Sequence, residues 1–329
     1  MPPTVAIYDA SIDLIGERLK ALELDIQIVP FDKNGIFYLE NKAVRAEEME
    51  VDYLWLSPQI NEINKTGAIF DVVLSCKSLG VLQTFNAGLD HPFYAKLAEK
   101  GVRILNSSAQ GVAIAEYVIG QVLAVLQPIE MQRRLQIERD WRVTPFREIS
   151  QTHWLIMGFG PIGSAVVKRA KAFGAEISTI RRSNQLSENV DRVGTLTDAT
   201  AFAVDADIIV LACPLNEATR GVAGERFFQA AKPGSILINV ARAGLIDDRA
   251  MIAALDDGRL ETAILDVFHR EPLPMTDPLW VHPKVRITSH TSFAGDGVYN
   301  RWDELFLNNI QRFAQGNPLL QEVDPNDII

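Results

Sequence analysis

The sequence predicts an α/β protein in which parallel sheets, covered by helices on both faces, form two domains with a cleft between them. Three observations carry this. The 329 residues suffice for two domains of about 150 residues each. Short apolar runs alternate with helical stretches along most of the chain, the pattern of a parallel sheet with crossover helices. Near the middle, one glycine-rich turn joins an apolar run to a helix.

In order, the apolar runs predict strands at residues 4–8, 25–29, 52–56, 80–84 and 102–105. Helices are expected at 12–22, 68–75 and 92–100, with a loop at 85–90. A single long helix is expected over 112–142, one that connects domains or builds an oligomer face. Then come strands at 176–180, 207–211, 235–240, 262–267 and 285–288, with helices at 197–203, 225–231 and 248–256. An amphipathic helix at 297–315 carries Leu305, Phe306, Ile310 and Phe313 on one side. No repeat, low-complexity segment or flexible linker stands out.

The central stretch is His153-Trp154-Leu155-Ile156-Met157-Gly158-Phe159-Gly160-Pro161-Ile162-Gly163. Its glycines fall on G-x-G-x-x-G after a buried strand and before a helix, the context that gives this otherwise weak pattern its meaning. Gly158 permits the bend, Gly160 lets backbone N–H groups approach a pyrophosphate, and Gly163 lets helix and strand pack closely. Pro161 suits the first helical turn, where its missing N–H costs nothing. The alternative is a purely structural turn. The expected domains are therefore Rossmann-like or flavodoxin-like. Residues 111–296 form the dinucleotide-binding domain, and 1–110 with 297–329 form a substrate domain.

Composition narrows the partners. Hydrophobic residues make up 47% and charged residues 22%, which is ordinary for a chain with a large core. A net charge of −10 argues against nucleic acid or an anionic membrane as the main partner. Two cysteines, Cys76 and Cys213, are too few for a disulfide framework and fit a reducing compartment. The start, Met1-Pro2-Pro3-Thr4, lacks a charged segment followed by an apolar one, and no apolar run is long enough to span a bilayer. A soluble, cytoplasmic protein is expected.

Cofactor choice is read about 20 residues past the fingerprint, where a carboxylate would bind a ribose 2′-OH. The residues there are Arg181, Arg182 and Ser183. Two guanidinium forks match a 2′-phosphate, so NADP(H) is favoured and NAD(H) is the second choice. A solvated arginine pair is the alternative.

Four blocks of the second half resemble one family. They are Gly158-Phe159-Gly160-Pro161-Ile162-Gly163, the run from Cys213-Pro214 through Thr219 to Gly221, Ile238-Asn239-Val240-Ala241-Arg242-Ala243, and Leu265-Asp266-Val267-Phe268-His269-Arg270-Glu271-Pro272. Thr288-Ser289-His290-Thr291 closes the series, and Asn86-Ala87-Gly88-Leu89-Asp90-His91, the Glu116 helix and Gly316-Asn317-Pro318-Leu319 match more loosely. The chain resembles the D-isomer-specific 2-hydroxyacid dehydrogenases, an NAD(P)-dependent family that includes glyoxylate/hydroxypyruvate reductases and phosphoglycerate dehydrogenase.

The resemblance implies a catalytic set of Arg242, Glu271 and His290. In 2-keto acid reduction, hydride reaches the keto carbon while its oxygen takes a proton. His290 suits that donation because imidazole changes charge near neutrality, and Glu271 would orient it and stabilise its charged form. Arg242 would hold the carboxylate and polarise the keto oxygen. Backbone groups at Asn86, Ala87 and Gly88, and at Leu56 and Ser57, are expected on the substrate carboxylate. The implied cofactor residues are Gly158, Phe159, Gly160, Pro161, Ile162, Arg181, Arg182, Ser183, Cys213, Pro214, Thr219, Val240, Ala241, Arg242, Asp266, His290 and Ser292. Among these, Asp266 would steady the nicotinamide ring and Ser292 its carboxamide, while Cys213 would act through its backbone.

Taken singly, each member of the catalytic set also reads as an ordinary ion-pair or turn residue. His91, His153, His269 and His282 lack ligand spacing, so no metal is expected. Trp55, Trp141 and Trp280 are candidate pocket walls or plain core aromatics. Ala243 stands where the family usually has glycine and would be strained if that position needs positive φ. Glu271, in place of glutamine, speaks against formate dehydrogenase. The expected activity is reduction of a small 2-keto acid such as glyoxylate or hydroxypyruvate to the D-2-hydroxyacid, in a homodimer. The alternatives are NAD-dependent oxidation of another D-2-hydroxyacid and a dinucleotide-sensing scaffold like the corepressors that share this fold.

Overall fold

The first strand, β1 (Thr4–Tyr8), is buried at four of its five positions and centres a seven-stranded sheet. A computed structural model describes residues 2–63, 66–183 and 185–328; Met1 and Ile329, the ends of the predicted first domain, lie outside them. The chain divides into two units, Met1–Ala109 with Asp296–Ile329, and Gln110–Gly295.

In the first unit β1 leads into α1 (Asp9–Lys20), β2 (Gln27–Phe31), β3 (Phe37–Leu39), β4 (Lys42–Val44) and β5 (Glu50–Leu56). Then come α2 (Thr66–Ser75), β6 (Ser78–Thr84), α3 (Pro92–Glu99) and β7 (Arg103–Leu105). The sheet order is β4-β3-β2-β1-β5-β6-β7. Its five long-range strands are parallel, in the flavodoxin-like arrangement. The sequence reading has no strand between residues 29 and 52, yet β3 and β4 form an antiparallel hairpin there. Its two-residue turn, Glu40-Asn41, has φ of 49° and 65°. That geometry favours Asn-Gly or Asp-Gly, so a Glu-Asn turn gives little signal.

The second unit begins with α4 (Gly111–Leu126) and α5 (Ile129–Glu138). The long helix expected over 112–142 is thus two helices, bent by 52° at a break. Pro128 explains it. Proline excludes the helical conformation from the residue before it, and Gln127 is extended at φ −99°, ψ 128°. Beyond α5, Arg139 turns left-handed and the chain has no regular element to residue 148. Among the described residues no single helix is long and apolar enough to cross a membrane.

The rest of the unit runs β8 (His153–Met157), α6 (Pro161–Ala172), β9 (Glu176–Ile180), β10 (Arg192–Gly194), α7 (Ala199–Ala203) and β11 (Ile208–Leu211). It continues through α8 (Glu225–Ala230), β12 (Ser235–Asn239), α9 (Asp248–Asp256), β13 (Leu260–Leu265) and β14 (Val285–Ile287). The sheet order is β10-β9-β8-β11-β12-β13-β14, parallel throughout. In β8, Trp154 and Ile156 join one apolar cluster and Leu155 and Met157 another. A strand buried on both faces reads as an unbroken apolar run.

The last helix, α10 (Val298–Ala314), belongs to the first unit. Phe306 and Ile310 pack with Tyr53 and Trp55, and the Phe306 ring stacks on Trp55 at 4.1 Å. The buried stripe is Trp302, Phe306, Asn309 and Ile310; Leu305, expected on it, is only half-buried.

Two glycines fix the turn after β8. A Cβ on Gly158, whose φ is 105°, would lie 2.6 Å from Ala212 O. A Cβ on Gly163 would lie 2.0 Å from Gly158 O, so strand end and helix start touch through bare backbone. Gly163→Ala should therefore destabilise the protein by about 1–3 kcal/mol, the usual cost of overpacking, read as a lower urea midpoint at unchanged slope.

Candidate active site

An open parallel sheet binds ligands beyond the carboxyl ends of its strands, at the point where the strand order reverses. In the second unit that point lies between β8 and β11, paired from Trp154↔Ile208 to Met157↔Leu211. Gly158 follows one strand and Ala212-Cys213 the other. No heavy atom lies within 4 Å of a Cβ built on Gly160, leaving room at the start of α6. The first-turn N–H groups there have no intrahelical acceptor and stand at the positive helix end. This cradle, with Phe159, Pro161 and Ile162 around it, fits a dinucleotide pyrophosphate.

Arg181 follows β9, half-buried, with its guanidinium carbon 4.9 Å from the Phe159 ring centroid. Its Nη1 donates to Ser187 Oγ at 2.6 Å and its Nη2 to Ser183 Oγ at 3.2 Å. Arg182 and Ser183 are exposed beside it. Pro214 is exposed after β11, but Thr219 is buried. The Thr219 hydroxyl donates to Pro214 O at 2.8 Å and accepts from Asn216 N at 2.8 Å. Expected at the cofactor, Thr219 instead spends its hydroxyl on its own turn.

Arg242, Glu271 and His290 follow three adjacent strands, β12, β13 and β14. Sequence reasoning missed Asn239, the fully buried last residue of β12. Its Oδ1 accepts from Ala241 N at 3.0 Å and its Nδ2 donates to Arg242 O at 2.9 Å. One asparagine thus fixes both residues, and its place inside the Ile238–Ala243 block was the available signal. The Arg242 Nη1 donates to Ala241 O at 2.8 Å. The strain expected at Ala243 does not arise. Ala243 has no positive φ and opens a 3-10 turn, Ala243–Leu245.

Glu271 Oε1 accepts from Phe268 N at 2.9 Å, and its Oε2 lies 2.8 Å from His290 Nδ1. A carboxylate only accepts, so Nδ1 carries the proton and Nε2 is left to meet a substrate. His290 is partly open to solvent and its φ is 50°. A non-glycine residue there stores of order 1–3 kcal/mol of strain, which its surroundings must hold.

Asp266, expected against the nicotinamide, is fully buried. Its oxygens accept from Thr288 Oγ1 (2.5 Å), Thr291 N (2.9 Å) and Ser292 N (3.0 Å). Its visible task is to hold the segment that carries His290, with Ser292 buried in the same network; Val240, expected at the cofactor, is buried just after β12.

In the first unit, the turn after β6 is held by its carbonyls and side chain. Asn86 O accepts from Ser107 N (2.9 Å), Ala87 O from Asn106 Nδ2 (2.9 Å), and Asn86 Nδ2 donates to Tyr94 OH (2.7 Å). The Asn86 N–H is engaged as well, donating to Thr84 Oγ1 at 3.2 Å in this half-buried turn. Leu56 and Ser57 are 1% and 0% exposed. The Ser57 hydroxyl meets Ser11 Oγ at 2.5 Å, and the Leu56 and Ser57 carbonyls accept from Phe85 N and Ile60 N.

The tryptophans are not pocket walls as a group. Trp55 is core, Trp141 is fully exposed, and Trp280 is half-exposed with Nε1 on Pro274 O. His153 pairs with Ser178, His91 caps α3, and His269 and His282 face Asp248 and Asp256. Among the described residues no three His, Cys, Asp or Glu side chains converge on a metal site.

Residues 119–292 match the family model described as D-isomer specific 2-hydroxyacid dehydrogenase, NAD binding domain. The chain is 31% identical over 264 residues to hydroxyphenylpyruvate reductase of Plectranthus scutellarioides, covering 79% of this chain and 83% of that one. It is 28% identical over 304 residues to glyoxylate/hydroxypyruvate reductase A HPR2 of Arabidopsis thaliana, covering 87% and 95%. Its fold is that of a D-isomer specific 2-hydroxyacid dehydrogenase from Xanthobacter autotrophicus Py2, solved with NADPH and MES. The TM-score is 0.78 and the identity 24%, over 100% of this chain and 99% of that one.

Burial pushes both thiols, Cys76 and Cys213, up to about 11. A thiol two units above the ordinary 9.0 has about a hundredfold less thiolate at pH 8, and thiolate is the reactive form. Native protein should therefore be alkylated by iodoacetamide at pH 8 about a hundredfold more slowly than the urea-unfolded chain, as read by mass spectrometry.

Proposed function

The chain belongs to the D-isomer-specific 2-hydroxyacid dehydrogenase family and is an NAD(P)-dependent oxidoreductase, and we propose that it reduces a small 2-keto acid, glyoxylate or hydroxypyruvate in type, to the D-2-hydroxyacid with NADPH. The observation that carries this reading is the Glu271–His290 pair, in which the carboxylate accepts from Nδ1 and so leaves Nε2 for a substrate. A bound NADPH would supply hydride to the keto carbon. His290, protonated on both nitrogens, donates its Nε2 proton to the oxygen, while Glu271 balances the imidazolium charge. Arg242 holds the carboxylate and draws charge onto the keto oxygen.

For the cofactor, Gly158, Gly160 and the start of α6 hold the pyrophosphate. The backbone around Cys213, Pro214, Val240 and Ala241 borders the dinucleotide. Arg181, steadied on Phe159 and tied to Ser183 and Ser187, presents a preformed fork to the 2′-phosphate, with Arg182 as second cation. Two free thiols fit the reducing cytoplasm. Past the Pro128 bend, Ile137, Trp141, Val143 and Phe146 are exposed. A cluster of exposed apolar side chains marks a contact surface, and a second copy of this chain is the proposed partner.

The test is oxidation of NADPH and NADH with glyoxylate, hydroxypyruvate, pyruvate and phenylpyruvate, on wild type and variants. Arg181→Ala/Arg182→Ala should raise KM for NADPH by about tenfold to a hundredfold, since bonds to a charged group are worth about 1.5–3 kcal/mol, and leave NADH use unchanged. His290→Gln should lower kcat by about 10²- to 10⁴-fold. NADH preference untouched by the arginine changes would make them a solvated pair, and no turnover with any acid would remove the reductase assignment. Light scattering should give a dimer mass for wild type and a monomer mass for Trp141→Glu; a monomeric wild type would end the dimer proposal.

A further inference from the structure

The segment 288–292 lies outside any strand or helix, yet it holds His290 at a left-handed φ of 50°. Its geometry is a pinch. Thr288 Oγ1 and Thr291 N donate to the same atom, Asp266 Oδ1, at 2.5 and 2.9 Å. These residues stand two before and one after His290, so a single oxygen draws the legs of the turn together with the imidazole at its apex. Ser292 N closes on Asp266 Oδ2 at 3.0 Å.

The pinch has an outer support. Tyr117 OH, on α4, lies 2.7 Å from Thr288 Oγ1. Because Thr288 gives its hydrogen to Asp266, Tyr117 must be the donor. Burial raises the Tyr117 hydroxyl above the usual phenol range, which keeps that proton in place. We propose that Tyr117 and Thr288 are positioning residues for catalysis: through Asp266 they fix the turn that aims His290 at the substrate. This rests on His290 being the proton donor of the proposed reaction. With Tyr117 in place, one rotamer of Thr288 satisfies both neighbours. Without it, the hydroxyl can also turn towards water, and the leg keeps only its backbone tie, Thr288 N to Leu265 O at 3.0 Å.

Tyr117→Phe, Thr288→Val and Thr288→Ser would be compared by thermal melting, NADPH affinity from fluorescence, kcat and KM for the best keto acid, and the ¹⁵N-histidine spectrum of the His290 Nδ1–H. Thr288→Val should melt cooperatively, bind NADPH within about twofold of wild type, broaden the Nδ1–H signal and lose about tenfold to a hundredfold in kcat, the scale of an ångström misplacement. Thr288→Ser, which keeps the hydroxyl, should restore signal and rate, and Tyr117→Phe should fall between.

An unchanged signal and kcat in folded Thr288→Val would overturn the proposal. So would a loss of rate matched by an equal loss of NADPH affinity, since the defect would then lie in cofactor binding. Should Thr288→Val fail to fold, Tyr117→Phe decides alone on the same two readouts. If wild type reduces none of the acids while Thr288→Val still abolishes the Nδ1–H signal, the positioning stands and the reductase reading falls.

Discussion

The second unit depends on one close approach of backbone to backbone. At Gly158 the end of β8 passes the end of β11 with no room for a Cβ, and at Gly163 the first turn of α6 rests on the carbonyl of Gly158. Gly111 adds α4 to the same place, since its Cβ would lie 2.9 Å from Pro161 O. Helices and strands normally keep apart by the width of their side chains. Removing those side chains at one point brings the positive end of α6 to the sheet's carboxyl edge, where backbone dipoles would meet the proposed pyrophosphate. Larger residues at those glycines would tilt the helix away and dissolve the site together with the packing.

A second rule organises the catalytic side. Arg242, Glu271 and His290 are all partly open, as the proposed substrate contacts require. The groups that hold them are the buried Asn239 for residues 241 and 242, the amide of Phe268 for Glu271, and the buried Asp266 for the segment around His290. Each buried polar side chain is hydrogen-bonded to loop backbone or hydroxyl groups, Asn239 both donating and accepting and Asp266 accepting, which offsets the cost of burying it. Fixed polar residues at the strand ends thus give short irregular loops the precision of a sheet.

Much of this was legible in the chain itself. Strands buried on both faces, such as Thr4–Tyr8 and Ile208–Leu211, show as short apolar runs because nearly every position faces a core. The ordered motifs led to Arg242, Glu271 and His290, and the structure brings the last two within hydrogen-bond distance. The misses have common causes. The 112–142 helix was overextended because hydrophobic period outweighed Pro128 and the residue before it. The β3–β4 hairpin has too few residues and too unusual a turn to register. Leu56, Ser57, Thr219 and Asp266, expected at ligands, are buried in the structure; a motif records residue identity, whereas burial depends on segments that can be far away in sequence.

The sequence by itself determined the α/β class, the glycine turn at residue 158, the basic pair where a ribose carboxylate would stand, and the family. Each of these rests on local pattern, glycine conformation or charge, and all are properties of neighbouring residues. Only the tertiary structure decided that Ala243 carries no strain, that Asp266 faces the His290 turn, that Asn239 clamps the Arg242 loop, and that Tyr117 reaches Thr288 across 171 positions of chain. Those depend on which strand ends lie side by side and on which donors a buried carboxylate finds there. Hydrogen bonds act over about 3 Å, and distance in space between residues so far apart in the chain exists only once the sheet has formed.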